Sequence, residues 1–407
     1  MTTLTLARMS IKDWVGWCVT LIAFAWCLSG LGIAQSTDSG AVTAPAAPAP
    51  TAPATKAGAA PYSPQVNDAS SDSGSTVRGL LFGNPEREVE FHGFLNIEGF
   101  GFQRDAEHNV SSFDIHNFYF AAKATINSKI QVFAELEYEH GATIRLDRAF
   151  IDWNLHPWIT LRVGRFYVPF SYERPRYWAP VRLMTSRPLV ADISFHEWAD
   201  TGIELHGRNK WVGYEFALVN GPQGLTERGI PSLEVRDNNS NKVPIFRLNL
   251  YPVKGLETGV AFAKGKYDRE GKLDFRMFEL DARFRRGRLD VWSEYQKRSG
   301  SDEPCSNEKL GCDPSFSGER ARKEGYYALA AYRVLGERKG INYLKPVFRF
   351  DRVKTMDTQS EVRRVSTGLN WSPVPHFVFK SEYQWNFEVK GPQLKNNGLM
   401  FSAVADF

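Results

Sequence analysis

From about Glu90 to the C-terminus the chain repeats one pattern. Short segments of alternating apolar and polar residues follow one another, separated by turn residues. In the clearest, Lys129 to His140, Ile130, Val132, Ala134, Leu136 and Tyr138 fall on one face. Gln131, Glu135, Glu137 and Glu139 fall on the other. A period of two predicts a strand, because successive strand side chains point to opposite faces. The last segment is equally regular: Leu399, Phe401, Ala403, Ala405 and Phe407 oppose Met400, Ser402, Val404 and Asp406. About sixteen such segments are found, near 90–103, 113–126, 129–140, 144–155, 158–170, 198–208, 211–220, 243–251, 256–267, 274–286, 287–298, 324–335, 342–352, 361–372, 376–390 and 397–407. An even number suits an antiparallel barrel with both chain ends on one side.

The connections alternate in length. Those after even-numbered strands are short, such as Asn127-Ser128, His156-Pro157 and Pro252 to Gly255. Those after odd-numbered strands are mostly longer and more polar, notably 171–197, 221–242 and 299–323. One-sided long loops are the habit of outer-membrane barrels, not of soluble sandwiches. The strand faces agree. Phe377, Phe379, Tyr383, Trp385 and Phe387 oppose Lys380, Glu382, Gln384 and Asn386; Leu344, Phe348 and Phe350 oppose Lys345, Arg349 and Asp351. An Arg or Lys facing lipid at the midplane costs about 2–4 kcal/mol, so the charged sides must face a polar lumen. Trp153, Trp158, Trp371 and Trp385 lie near strand ends, where interfacial girdles belong. The expected fold is all-β: a transmembrane antiparallel β-barrel of about sixteen strands, with the third external loop folded inward.

Composition narrows this further. High aromatic content with slightly negative mean hydropathy excludes a helical membrane bundle and suits a barrel, in which only alternate residues meet lipid. The net charge of +4 is spread along strands, so no nucleic-acid-binding arm is expected. Residues 1–34 read as a signal peptide: Arg8 and Lys12, an apolar run from Trp14 to about Leu31, then Gly32-Ile33-Ala34 before Gln35. The competing reading is an uncleaved anchor helix. Trp precedes both Cys18 and Cys27, which argues against a lipoprotein site. Residues 35–87 are rich in Ala, Pro and Ser and lack the apolar side chains for a core, so they read as a disordered periplasmic linker. The barrel is assigned to 88–407. Cys305 and Cys312 are expected to close a local disulfide, because no further Cys or His stands close enough for a metal site.

The candidate chemistry lies in the stretch 158–207. An alternating strand there gives way to a long non-periodic segment carrying Arg174, Arg176, Arg182 and Arg187 among Pro and aromatic residues. It follows the fifth strand, so it is the third external loop, and it is long enough to fold back and narrow the lumen. Lumen-side cations by parity are Lys123, Arg148, Arg247, Arg283, Arg285, Lys345, Arg349, Arg364 and Lys380. Arg162 and Arg165 have opposite parity; Arg165 is expected to face the lumen and Arg162 to lie near the periplasmic rim. Glu135, Glu137, Asp152, Glu279, Asp281, Glu294, Asp351 and Glu382 face inward by the same rule. Many of the arginines can therefore simply pair with them across strands.

Arg148-Ala-Phe-Ile-Asp-Trp153, Leu161-Arg-Val-Gly-Arg-Phe-Tyr-Val-Pro-Phe170, Ala199-Asp-Thr-Gly-Ile-Glu-Leu-His-Gly207 and Leu218-Val-Asn-Gly221 resemble the phosphate-selective porin O and P family. The resemblance covers most of the chain after about residue 88, and the Gly164…Pro169-Phe170 element is its most specific part. It implies a sixteen-stranded, trimeric outer-membrane porin with an inward third loop and a basic pore, not phosphate-selective in every member. The Pro/Ala linker here departs from the helical heptads that some members carry. The expected function is passive diffusion of small hydrophilic solutes, with a preference for anions such as phosphate. A general non-selective porin is the alternative.

Two further classes remain. One is a structural barrel with a plugged lumen. The other is an outer-membrane hydrolase, for which His206 and Ser194 are the least implausible pair, although neither sits in a recognisable motif. No enzyme activity, cofactor or metal is expected. The expected partners are outer-membrane lipid, two further copies in a homotrimer, small anions, and the assembly machinery that reads a terminal aromatic such as Phe407.

Overall fold

The alternation produces strands wherever it is regular, and the breaks in it produce the turns. A computed structural model of the chain describes residues 75–78, 88–102, 111–139, 143–172, 178–194, 198–222, 237–301, 320–338, 341–355, 360–390 and 394–407. Sixteen strands close into an antiparallel barrel. They are β1 (Glu88–Phe102), β2 (Ser112–Thr125), β3 (Ile130–Glu139), β4 (Thr143–His156), β5 (Ile159–Tyr167), β6 (Ala199–Arg208), β7 (Val212–Val219) and β8 (Val243–Val253). They continue with β9 (Leu256–Lys266), β10 (Asp274–Arg286), β11 (Leu289–Ser301), β12 (Arg320–Tyr332), β13 (Ile341–Thr355), β14 (Ser360–Val374), β15 (Phe377–Lys390) and β16 (Gly398–Asp406). Each pairs with its sequence neighbours, and β16 pairs with β1 to close the ring. Closure leaves no free edge, so every ladder hydrogen bond is made within the sheet.

Two short strands supplement the ring. Leu335–Arg338 continues the track of β12 along β13. Ser75–Arg78 pairs with Glu88–Phe91 of β1. This four-residue strand falls within 35–87, expected to be disordered throughout, and is a local correction to that expectation. Its backbone takes up positions of β1 that β16 does not reach, because β16 ends against Phe94 and Phe407 exchanges two 2.9 Å hydrogen bonds with Gly93. Gly93 is required there: a Cβ would lie 2.4 Å from the Phe407 ring and 2.5 Å from the Tyr119 carbonyl oxygen. The remainder of 1–87 lies outside the described residues, and so do Cys305 and Cys312.

The two barrel ends differ as the connection lengths predict. At one end the turns are tight. Asn127 Oδ1 accepts from the amides of Lys129 and Ile130 at 2.8 and 2.9 Å, and Asn209 repeats this with Trp211 and Val212. An Asx side chain thus replaces the missing backbone partner in both turns. The longest connections, 168–198, 220–242 and 302–319, all leave the other end.

The two faces differ equally. Lumen-side Lys380 and Glu382 are 3% and 1% exposed, whereas outward Phe387 on the same strand is 46% exposed. Trp153, Trp158, Trp211 and Trp371 are all exposed at the short-turn end. Inward apolar residues are concentrated where the loop 168–198 enters. Val168, Phe170 and Trp198 pack against Ala217, Val219, Val243, Ile245, Ala261 and Ala263 of β7–β9.

Candidate constriction loop and its anchors

The connection 168–198 lies against the inner wall over much of its length. At its root Phe170 donates to the Val168 carbonyl at 2.7 Å, a tight turn that leaves Ser171 at φ 75°. This unusual backbone is held by a carboxylate: the amides of Ser171 and Tyr172 donate to Glu279 of β10 at 2.6 and 2.7 Å. Tyr172 N also lies 3.1 Å from Glu294 of β11. Its ring meets Trp292 edge-on.

Further along, Arg182 pairs with Glu98 of β1. Lys380 of β15 donates to the carbonyls of Ala179 and Arg182, the latter at 2.7 Å. Ser186 donates its amide and hydroxyl to Glu382 at 2.8 and 2.5 Å. Arg349 of β13 donates to the Ser186 carbonyl at 2.7 Å, the Ser186 hydroxyl at 2.6 Å and the Arg187 carbonyl at 3.2 Å. Arg364 of β14 also reaches the Arg187 carbonyl. The Leu189 amide donates to Asp351 at 2.9 Å, opening a one-turn 3-10 helix, Leu189–Asp192. Arg298 of β11 then holds the Ile193 carbonyl at 3.2 Å. Leu183, Met184, Val190 and Ile193 pack among Leu329, Ala331 and Val347 on the inner face of β12 and β13.

The wall therefore supplies carboxylates to the loop's amides and cations to its carbonyls. Both are charge-assisted bonds in an environment of low polarity, where they are stronger than neutral ones. Among the four loop arginines, Arg182 and Arg187 are both buried against the wall. Arg174 and Arg176 lie outside the described residues.

The inward cations divide into three groups. Arg349, Lys380 and Arg364 anchor the loop. Arg148 and Arg247 sit in buried wall ion pairs. Arg148 donates to Glu135 at 2.6 Å between the rings of Phe133 and Tyr167. Arg247 bridges Glu279 at 3.1 Å and Asp281 at 2.6 Å. Arg165 is half-buried and donates to the Asp147 carbonyl at 3.1 Å. Arg162, expected near the rim, is buried between Asp152 at 2.7 Å and Glu204 at 3.3 Å. The register with β4 and β6 runs through Gly164 without a shift, so Arg162 shares its parity with Phe166, both buried, against exposed Val163; only at the strand end are neighbours Phe166 and Tyr167 both buried. A Cβ at Gly164 would lie 2.3 Å from the Ala149 carbonyl oxygen, so no other residue fits there without a shift.

The third group lies at the short-turn end. Arg285, Arg288, Arg333 and Lys345 line an open recess, with Leu183 of the loop among its walls. Asp290 is the acidic residue lining it, and Arg283 and Arg285 already hold its carboxylate at 2.7 and 3.2 Å. Arg288 and Arg333 are not legible in the sequence because they flank turns, where strand parity assigns no face. Lys123, at the same end, pairs with Glu90 at 3.2 Å. His206 lies 2.9 Å from Glu204, and the Ser194 hydroxyl donates to the Ala191 carbonyl at 3.3 Å; the structure shows no bond between these two.

No protein-family model matches the chain. One curated relative, an uncharacterized protein of Aquifex aeolicus, is 22% identical over 65% of this chain and 68% of its own length. The fold is that of outer-membrane porins. An anion-selective porin from Comamonas acidovorans superposes with a TM-score of 0.59 at 11% identity, over 79% of this chain and 100% of that one. The outer membrane channel DcaP of Acinetobacter baumannii gives 0.55 at 10% identity, over 79% and 97%. A trimer form of OmpT, an outer membrane protein of Vibrio cholerae, gives 0.51 at 12% identity, over 79% and 99%.

Proposed function

We propose that the chain is an outer-membrane porin that passes small hydrophilic solutes by diffusion and prefers anions, phosphate-like oxyanions among them. No bond is made or broken; selection is by the charge and width of the path. The basic recess carries the anion preference. Among the described residues its cations outnumber its carboxylate, Asp290, which is already paired. Guanidinium groups keep their charge and bind oxyanions through two parallel hydrogen bonds. The loop arginines are assigned a lesser part, since Arg182 is committed to Glu98.

The test is the reversal potential of single channels in a salt gradient. Wild type is expected to be anion-selective. Replacing Arg288, Arg333 and Lys345 together by Gln moves the potential towards zero. Cation selectivity of wild type would overturn the preference.

Assembly as a homotrimer accompanies this reading. It is supported by exposed apolar side chains at the long-loop end of β2 and β4, where Phe113 is 88% and Ile144 71% exposed. Contiguous exposed apolar surface marks an interaction site. Phe407, seated on Gly93, is the residue proposed to be read during membrane assembly.

A second reading is supported by the density of the loop's contacts: a barrel whose loop closes the lumen. Liposome swelling with small sugars separates the two, because a plugged barrel gives no swelling.

A further inference from the structure

The outward rim at the long-loop end is not uniform. On β2–β4 it is apolar, with Phe113, Ile115, Ile144 and Leu146 exposed. On β9–β14 it is cationic. Lys264, Arg276, Lys297, Arg352, Lys354 and Arg363 all stand within six residues of the long-loop ends of their strands. Their outward direction follows from buried inward neighbours: Ala263 beside Lys264, Phe275 and Met277 around Arg276, Gln296 and Arg298 around Lys297, Asp351 and Val353 around Arg352. Arg276, Lys297 and Arg363 are 51%, 49% and 42% exposed.

The pairing of these cations is unfavourable within the protein itself. Lys264 stands directly across from Arg276, and Arg352 directly across from Arg363. Like charges directly opposite on one face of a sheet are destabilising. The carboxylates on this surface relieve the two pairs unequally. Glu361 bridges Arg352 and Arg363 at 2.9 and 2.7 Å. Glu324 reaches Lys297 only at 3.5 Å, and Asp274 reaches Arg276 only at 3.9 Å. Lys264 makes no ion pair among the described residues.

The next outward side chains towards the barrel middle are exposed and apolar: Phe262 after Lys264, and Phe278 then Leu280 after Arg276. The cations thus sit at the upper boundary of the apolar band, the level of lipid headgroups. Five strand spacings separate β9 from β14, an arc of about 24 Å. Tyr295 and Tyr326 face outward between them, amphipathic side chains suited to that interface.

We propose that the β9–β14 rim is a docking surface for phosphate-bearing glycolipid headgroups of the outer leaflet. It would engage them through Lys264, Arg276 and Lys297, with the Arg352–Glu361–Arg363 cluster as a flanking site. The phosphates supply the counter-charge that the sheet lacks between Lys264 and Arg276. The uncharged rim on β2–β4 is left for contact between copies of the chain. This rests on the outer-membrane reading above.

The test uses the refolded full chain in detergent and native mass spectrometry. The probes are diphosphorylated lipid A and its fully dephosphorylated form. Each cation near an anionic lipid surface contributes about fivefold to binding, so three contribute on the order of a hundredfold. Wild type is expected to prefer the phosphorylated lipid. The variant Lys264→Gln/Arg276→Gln/Lys297→Gln is expected to lose most of that preference. The variant Lys129→Gln/Lys210→Gln/Lys254→Gln removes the same charge at the short-turn end and is expected to keep it. Unheated gel mobility checks that each variant is folded. Equal binding of both lipids to wild type overturns the proposal, and so does equal loss in the two variants. Displacement of the lipid by millimolar inorganic phosphate also overturns it, because free anion is then the ligand. Channel conductance of the same preparations is an independent readout, so failure of the channel reading is told apart from failure of this one.

Discussion

Replacing Arg349 by Met should release the loop without unfolding the barrel. The Arg349 side chain is buried and takes no part in the backbone ladder. Its guanidinium donates to Asp351 at 2.8 Å, to Ser186 at 2.7 and 2.6 Å, to the Arg187 carbonyl at 3.2 Å and to Glu382 at 3.5 Å. Breaking one side of a buried charge pair costs about 3–5 kcal/mol, because the partner is left uncompensated. Here the lower figure applies. Asp351 keeps the Leu189 amide and Arg364, and Glu382 keeps both donors of Ser186 and the amide of Gln384. A loss of about 3 kcal/mol is a little over two powers of ten at 1.36 kcal/mol each. The population with the loop detached should therefore rise on the order of a hundredfold. Hydrogen exchange reads this directly, since the amides of Ser186 and Leu189 donate to the two carboxylates at stake. Exchange in 182–194 should accelerate by that factor while amides of β13 to β15 stay protected. Unchanged protection of the loop would refute the anchoring role. Equal loss of protection in loop and strands would refute the separation of loop from barrel.

Other substitutions test the same geometry. Arg148→Met alone should destabilise the folded protein by about 3–5 kcal/mol, whereas Arg148→Met with Glu135→Leu should recover most of it; urea unfolding of the protein refolded into vesicles measures both. Glu279→Gln leaves one carbonyl oxygen where two amides now bond separate carboxylate oxygens. It should cost about 1–3 kcal/mol at the loop root, seen as faster exchange at Ser171 and Tyr172 and as more flicker in single-channel records. Gly93→Ala drives a methyl group into Phe407 and the Tyr119 carbonyl. It should lower the temperature at which the folded gel band is lost, and slow refolding into vesicles.

Much of the barrel is legible because its signal is local. The segment Lys129 to His140 alternates along the chain whatever surrounds it, and the observed strand, Ile130–Glu139, lies within it. Strand count, loop parity and the sense of each face come from such segments. The inward carboxylates come from the same rule, and their pairing with arginines across strands, as in Glu135–Arg148, is a near-neighbour property of registered strands. Legibility stops where alternation is ambiguous or absent. Arg162 and Arg165 have opposite parity on one strand, and the alternation alone does not say which of the two faces is inward there. The expectation that Arg165 takes the inward face leaves Arg162 near the rim, whereas Arg162 is buried between two carboxylates. Arg288 and Arg333 flank turns and carry no parity.

The sequence by itself determined the architecture, because a period of two, one-sided loops and apolar outer faces are each written in residues close together along the chain. Only the tertiary structure decided what the cations do. Arg349 and Ser186 are far apart in sequence, and the meeting of Lys380 with the carbonyls of the loop depends on closure of the whole ring. A charge has no fixed meaning until its neighbours are known. Buried against a loop carbonyl it is an anchor, opposite a carboxylate it is neutralised, and beside an open recess it can meet a solute.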